Sequence, residues 1–383
     1  MLIAPLFLFL LVTFLIPIAQ VLLRSVENPE IVEILPNLAA AMETWDGRDM
    51  PPPSVVKAFA EDLLAARENR TVTRAAKRLN YSIPGYRSLL IKTARHLPAP
   101  DSPQLLDKLA EIDKRWAERR YWTALKRASS AHTLEYLLAA LDLEYDIDDA
   151  VVQRPEHSSV YLTVLARTLW IAVAVTALCL LLGYPIAYLL ATLPTKYSNL
   201  LLLLLLLPFW TSLLVRTTAW VVLLQNQGVV NDLGTWLGVW TEPLQLVRNR
   251  AGVYIAMVHI MLPFMVLPLF SVMKGISPYH LKAAASLGAR PVRAFLKVYA
   301  PQTLPGIGAG TLLVFIMTLG FYITPALVGG PQDQMLSYFI AFNASTTVNW
   351  GMAAALSLLL MLCVGIFFAV YSRLIGINNL RLG

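Results

Sequence analysis

The sequence predicts an all-α integral membrane protein with six transmembrane helices and one helical insert outside the membrane. Three observations lead there. Of 383 residues, 57% are hydrophobic and 14% charged, against about half and about a quarter in ordinary soluble domains, so lipid is the solvent for much of the chain. The charges are segregated: residues 24 to 157 hold 19 of the 31 Lys/Arg and 21 of the 24 Asp/Glu, leaving 12 and 3 for residues 158 to 383. Finally, six apolar stretches reach the roughly 20 residues that a helix needs to cross about 30 Å of hydrocarbon, where only intra-helix bonding satisfies the backbone.

The six stretches run over residues 2 to 23, 160 to 191, 199 to 224, 251 to 273, 306 to 328 and 351 to 372, the second and fifth interrupted by Gly and Pro. The first lacks a positive n-region and a small-residue cleavage pattern before Arg24, so it reads as a retained helix rather than a secretory signal. Lys196, Lys274, Lys282, Arg290, Arg293, Lys297, Arg373 and Arg381 fall in alternate short loops or after helix six. The opposite loops hold only Arg248 and Arg250. The positive-inside rule therefore places both termini in the cytoplasm, and the expected domains are a first helix at 1–23, an external insert at 24–157 and a five-helix core at 158–383.

Within the insert, helical patterns around 55 to 68, 70 to 80, 104 to 127 and 131 to 141 are separated by prolines at 51 to 53, 84, 98, 100 and 103. Arg67 to Arg95 is basic and Glu135 to Asp149 acidic; mutual contact, partner docking and two solvated faces all fit. The net charge of +7 divides into −2 from the insert and +9 from the apolar part, which reflects topology rather than nucleic acid. Thr73 to Leu90 superficially resembles a DNA-reading helix-turn-helix, but Pro84-Gly85 breaks its second helix early and its placement is external. Cys179 and Cys363 lie in apolar stretches and read as small hydrophobes, not a disulfide.

The most informative stretch is Tyr279 to Gly306, YHLKAAASLGARPVRAFLKVYAPQTLPG, which reads as helix, glycine turn, helix. Three alanines favour helix, Gly288 suits a left-handed helix end, and Pro291 suits a new first turn. Phe295 and Val298, at i and i+3, give the second helix an apolar face, so the hairpin is built to present a surface.

This stretch closely resembles the EAA loop of ABC importer permeases, with Ala283, Ala284, Gly288, Val298 and Pro301 at the family's spacings within a loop at 277–301. Lys282 stands where the family has Glu, and Ala300 where it has Leu. The stretches TLWIAVAVTALCLLLGYPIAYLLA, LPFWTSLLVRTTAW and FYITPALVGGPQDQM extend the resemblance over nearly all of residues 158 to 383, on the spermidine/putrescine branch. It implies a bacterial inner-membrane, non-catalytic transport subunit. Its implied partners are a second, homologous permease, a cytoplasmic ABC ATPase dimer gripping the EAA loops, and a periplasmic substrate-binding protein. No G-x-x-x-x-G-K-[ST] occurs, so ATP and Mg belong to the partner ATPase and no cofactor is expected here.

Arg216 and Arg167 sit in or near membrane stretches, where a central charge costs about 2.5–3.5 kcal/mol. Each reads as a pathway contact, a snorkelling side chain or a structural pair. Trp210, Trp220, Trp236, Trp240 and Trp350 suit an interfacial belt, while Trp210 and Tyr322 also suit stacking on an ammonium in the pathway. Asp232, Glu242 and Asp333 are the three carboxylates after residue 157, all in expected external loops where they could attract a cation, and Asp333 joins Trp210, Arg216 and Tyr322 as a pathway candidate. Pro185, Pro208, Pro263, Pro268 and Pro325 read as hinges or static bends; Gly183, Gly320, Gly329 and Gly330 carry the same choice, with close packing as the alternative. His259 is the one His in an apolar stretch, so no acid/base pair or metal cluster supports an enzyme. An ion-driven carrier would show internal halves and intramembrane carboxylates; a membrane-tethered regulator using the insert as sensor is the remaining alternative.

Overall fold

The apolar stretches are helical in the computed structural model, which describes residues 4–156 and 158–375. Ala4–Leu23, Tyr161–Thr192, Arg250–Gly275 and Trp350–Arg373 are each long and apolar enough to cross a membrane. Two bent pairs qualify jointly: Thr195–Trp210 with Leu213–Trp236, bent by 99°, and Pro291–Gln302 with Leu304–Gly320, bent by 60°. Counting each pair as one span gives six, consistent with the expected number. Residues 2 and 3 of the first expected stretch, and Arg381, lie outside the described residues.

Several expectations about the helices are corrected. Pro185, Pro263 and Pro268 sit inside unbroken helices, so the second stretch is continuous rather than interrupted. The third is not one helix: it passes at Pro208 into a 3₁₀ turn, Leu207–Trp210. Pro208 cannot donate to the ladder, and Ser212 restarts the helix by accepting the Val215 N–H at 3.2 Å. The fifth ends at Gly320, passes extended through Phe321, and resumes at Ile323–Val328 around Pro325.

By contacts the described chain forms two units. One comprises Thr163–Phe342 with the chain from Leu359 onward. Its core joins Ile171, Val175 and Cys179 to Met257, Met261, Met265 and Val314. Glycine permits the close approach of these helices: a Cβ on Gly310 would lie 2.8 Å from Met265 Sδ, and one on Gly183 would lie 2.9 Å from Met265 Cγ. Packing by small residues replaces a hydrophobic drive that lipid cannot supply. Gly320, by contrast, has nothing within 4 Å of its Cβ position.

The other unit holds the chain up to Leu162 with Asn343–Leu358, so the insert shares its compact unit with the segment joining helix five to helix six. Its core centres on Phe59, Tyr86, Trp116 and Trp122, with Phe59 4.9 Å and 5.4 Å from the two indoles. Helices Pro53–Glu68, Val72–Ser82 and Glu135–Ala140 occupy the expected stretches, while the one expected over 104 to 127 is broken into Leu105–Ile112 and Arg119–Ala128 by extended Asp113 and the 3₁₀ turn Lys114–Ala117. Pro29–Ile34, Pro36–Glu43 and Tyr86–Arg95 add to them. The last corrects the expectation that Pro84-Gly85 cuts its helix short: the pair forms the turn before it, with Gly85 at φ +89°.

The acidic tract is not simply helical or solvated. Leu143–Tyr145 pairs antiparallel with Val151–Gln153. Asp146 Oδ1 accepts the turn N–H groups of Asp148 and Ala150 at 2.8 and 3.0 Å. Asp148, Asp149 and Glu144 pair with Arg119, Arg127 and Arg154. Of the Arg67–Arg95 tract, Arg78 reaches acidic Glu135, at 3.0 Å. Buried Asp142 accepts the N–H groups of Val160, Tyr161 and Leu162 at 3.0, 3.0 and 2.8 Å, capping the long helix that starts at Tyr161. At Asp113, hydrogen bonds from the Arg115 guanidinium hold the carboxyl well below the usual range.

Candidate coupling hairpin and membrane pathway

Tyr279–Ser286 is the first arm of the hairpin. It ends in a Schellman motif: the Ala289 N–H donates to Ala284 O at 3.0 Å and the Gly288 N–H to Ala285 O at 2.9 Å. Gly288 has φ +81°, the region that L side chains avoid. Arg290 is extended and Pro291 opens the second arm, Pro291–Ala294, which widens to a π-helix over Phe295–Tyr299 and ends as Ala300–Gln302. His280 Nδ1 and Gln302 Oε1, 2.8 Å apart, tie the arms together.

Phe295 does not present itself outward, which corrects the expected apolar face. Its ring centroid lies 6.3 Å from Tyr184, 5.5 Å from Tyr188 and 5.5 Å from Tyr299, anchoring the hairpin to the end of the Tyr161–Thr192 helix. Val298 is half-buried, and its carbonyl accepts Gln302 Nε2 at 2.6 Å. The outward apolar side chains are instead Tyr279, Leu287, Val292 and Leu296, with Leu287 90% exposed. The i, i+4 spacing of Val292 and Leu296 marked this face in the sequence. Lys282 is exposed, with Nζ 5.5 Å from the Tyr279 ring centroid. Ala283 and Pro301 are exposed, and Ala284 is half-buried.

The pathway candidates lie around the two helix breaks. Trp210, 74% exposed, ends the 3₁₀ turn. Arg216 donates to the carbonyls of Pro208 and Thr211, the latter at 3.2 Å, and its Cζ lies 5.9 Å from the Phe209 ring centroid. Its guanidinium thus serves carbonyls at the break. Tyr322 stands at the second break, immediately before Ile323–Val328. Thr217 and Thr324 hydroxyls meet at 3.1 Å, buried, and join the helices that follow the two breaks.

Asp333 is not an open loop charge. Its side chain is buried, accepts Arg250 Nε at 2.9 Å and the Gly330 N–H at 3.1 Å, and so closes the Gly329-Gly330 turn. A Cβ on Gly329 would lie 2.6 Å from Pro325 O. Arg167 donates to Gln334 O at 3.2 Å. Trp220 Nε1 donates to His259 Nδ1 at 3.1 Å, so this indole is tied inside the unit rather than free in a belt. Among the described residues no group of three or more His, Cys, Asp or Glu could hold a metal ion.

No model of a known protein family matches the chain. Curated relatives do. The spermidine/putrescine transport system permease PotB of Escherichia coli is 38% identical over 213 residues, 56% of this chain and 78% of that protein. Its Haemophilus influenzae counterpart is 34% identical over 57% of this chain and 77% of that protein.

The chain belongs to the ABC transporter permease family.

This permease is also 33% identical to the E. coli inner membrane ABC transporter permease YdcU, over 55% of the chain and 71% of that protein. Among solved structures, a bacterial ABC transporter for alginate import shares 17% identity at a TM-score of 0.43, covering 55% of this chain and 78% of that one. As an ABC importer permease this protein is a non-catalytic, multi-pass transport subunit.

Proposed function

We propose that this permease forms half of the translocation pathway of a binding-protein-dependent importer for polyamines or a related small organic cation. A second, homologous permease supplies the other half. A cytoplasmic ATPase dimer binds ATP and Mg and grips the 277–301 loops, and a periplasmic binding protein delivers substrate. Closure of the ATPases draws the hairpins together and alternates access. The observation that carries the substrate class is the 34–38% identity to spermidine/putrescine permeases.

The side chains are compatible with a cation. Arg216, whose positive charge would oppose a cation if it faced the pathway, is turned onto the backbone carbonyls of Pro208 and Thr211. Asp232 and Glu242 are exposed and form no ion pair among the described residues, leaving two carboxylates to attract a cation. The exposed Leu287, Val292 and Leu296 supply the hairpin with an apolar docking face for the ATPase. Lys282 lies at its edge without a carboxylate's role, and Ala283, Ala284, Gly288, Val298 and Pro301 set the hairpin's shape.

Both termini lie in the cytoplasm of a bacterial inner membrane, and the insert is periplasmic. What supports this reading is that Tyr81 in the insert donates to Thr347 O at 2.9 Å, in the segment before helix six, where no Lys or Arg occurs. The test is uptake of labelled putrescine and spermidine by cells expressing the full complex, with amino-acid-derived and sugar-derived competitors. Transport of an anionic or zwitterionic solute with no polyamine uptake or competition would overturn the substrate class.

A further inference from the structure

The insert carries a recess of about 420 Å³ that coupling and passage do not use. One wall is a single face of the Val72–Ser82 helix, with Thr73, Lys77 and Asn80 at helical spacing; Arg87 and the segment Thr346-Thr347 complete it. Two of its lining side chains are cationic and none is acidic. Neither Lys77 nor Arg87 enters an ion pair among the described residues. Neighbouring cations are already engaged, Arg74 with Glu33 and Arg78 with Glu135. Burial, and after it the Glu30 carboxylate, push the Tyr81 hydroxyl pKa up, and Glu30 does not line the recess.

The neutral groups are also biased toward donation. Asn80 spends its side-chain oxygen on the N–H groups of Gly85 and Arg87, at 2.9 and 3.2 Å, so its amide N–H₂ is what it offers the recess. Thr73 and Thr346 present exposed hydroxyls. An ammonium, a guanidinium fork, an amide and hydroxyls around one space match a phosphate, which accepts several charge-assisted bonds at once. The volume exceeds that of a bare phosphate and leaves room for what the phosphate carries. Position adds a second observation: Thr346 and Thr347 precede half-exposed Trp350, the first residue of the Trp350–Arg373 membrane helix, which is where interfacial aromatics mark headgroup depth.

We propose that Lys77 and Arg87 form a phosphate-binding site at the membrane surface, occupied by a phospholipid headgroup or by a free phosphate. Occupation would tie the insert helix to the chain entering helix six, reinforcing the Tyr81–Thr347 bond. The site is independent of the transported substrate.

The experiment is native mass spectrometry of the full chain in detergent with phosphatidylglycerol, with a diacylglycerol of the same acyl chains, and with inorganic phosphate as competitor. The expected result is retention of phosphatidylglycerol but not diacylglycerol. Each cation near an anionic surface is worth about fivefold, so Lys77→Gln with Arg87→Gln should weaken retention by about 25-fold, while Lys77→Arg with Arg87→Lys should restore it. Competition by inorganic phosphate would assign the site to free phosphate; none would assign it to the headgroup. Fluorescence of buried Trp116 and Trp122 reports whether the double variant folds, and Arg87→Gln alone, on an exposed side chain, gives the same reading at about fivefold. Equal retention of both lipids by the wild type, or undiminished discrimination in a folded variant, would overturn the proposal.

Discussion

Replacing Gly288 separates backbone strain from side-chain bulk, because the site is open. Gly288 sits at φ +81°, and a Cβ built there meets nothing within 4 Å. Ala therefore pays only for the left-handed conformation, about 1–2 kcal/mol, which lowers the ratio of intact to open turn by about five- to thirtyfold at 1.4 kcal/mol per decade. Val, stiff at χ1, pays more. Asn visits this region readily and should keep most of the turn. The Schellman bonds of Gly288 and Ala289 are what the strain opposes, so damage stays within the hairpin and membrane level is unchanged. The assay is ATP-driven uptake by the reconstituted complex at matched permease content, with the expected order Gly, Asn, Ala, Val. Normal uptake by Gly288→Val would refute the coupling role. An Asn variant as impaired as Val would show that bulk against a partner, not φ, is what matters.

Three further outcomes follow. Lys282→Ala should be mild, less than threefold on uptake, because Lys282 is exposed and its Nζ rests over the Tyr279 ring without an ion pair among the described residues; complete loss with normal expression would reveal a specific contact. Arg216→Ala should destabilise the detergent-solubilised protein by about 2–3 kcal/mol, as it removes charged hydrogen bonds to Pro208 and Thr211, read as a lowered thermal midpoint; lost uptake with an unchanged midpoint would return Arg216 to the pathway. A Cys placed at Ser102 should react with an impermeant thiol reagent in cells with a permeabilised outer membrane, and one at Arg290 should not; the reverse pattern would overturn the topology.

The membrane helices were legible because hydrocarbon leaves the backbone no other choice, and the hairpin because Gly288 and Pro291 state their conformations locally. The breaks were harder. Pro185, Pro263 and Pro268 stay inside long helices, Pro208 lies in the 3₁₀ turn at the first break and Pro325 in the short helix after the second, and an isolated Pro does not say which. Phe295 was readable as apolar but not as inward, because the tyrosines it meets lie about 110 residues earlier, at Tyr184 and Tyr188. Asp142 gave no signal as a cap: it sits 19 residues before Tyr161 and reaches it only after the Leu143–Gln153 ribbon turns back. Asp333 likewise looked like a loop charge until Arg250, 83 residues away, closed on it.

The proposed activity is passage of a polyamine through this permease, driven by a separate ATPase. The most direct measurement co-expresses the chain with its genomic neighbours, purifies through a tag on this subunit, and follows labelled putrescine and spermidine into proteoliposomes with and without ATP. The predicted result is a stoichiometric ATPase in the purified complex and uptake that needs both ATP and the binding protein. Polyamine uptake driven by an ion gradient in the purified permease alone, with no ATPase retained, would contradict it.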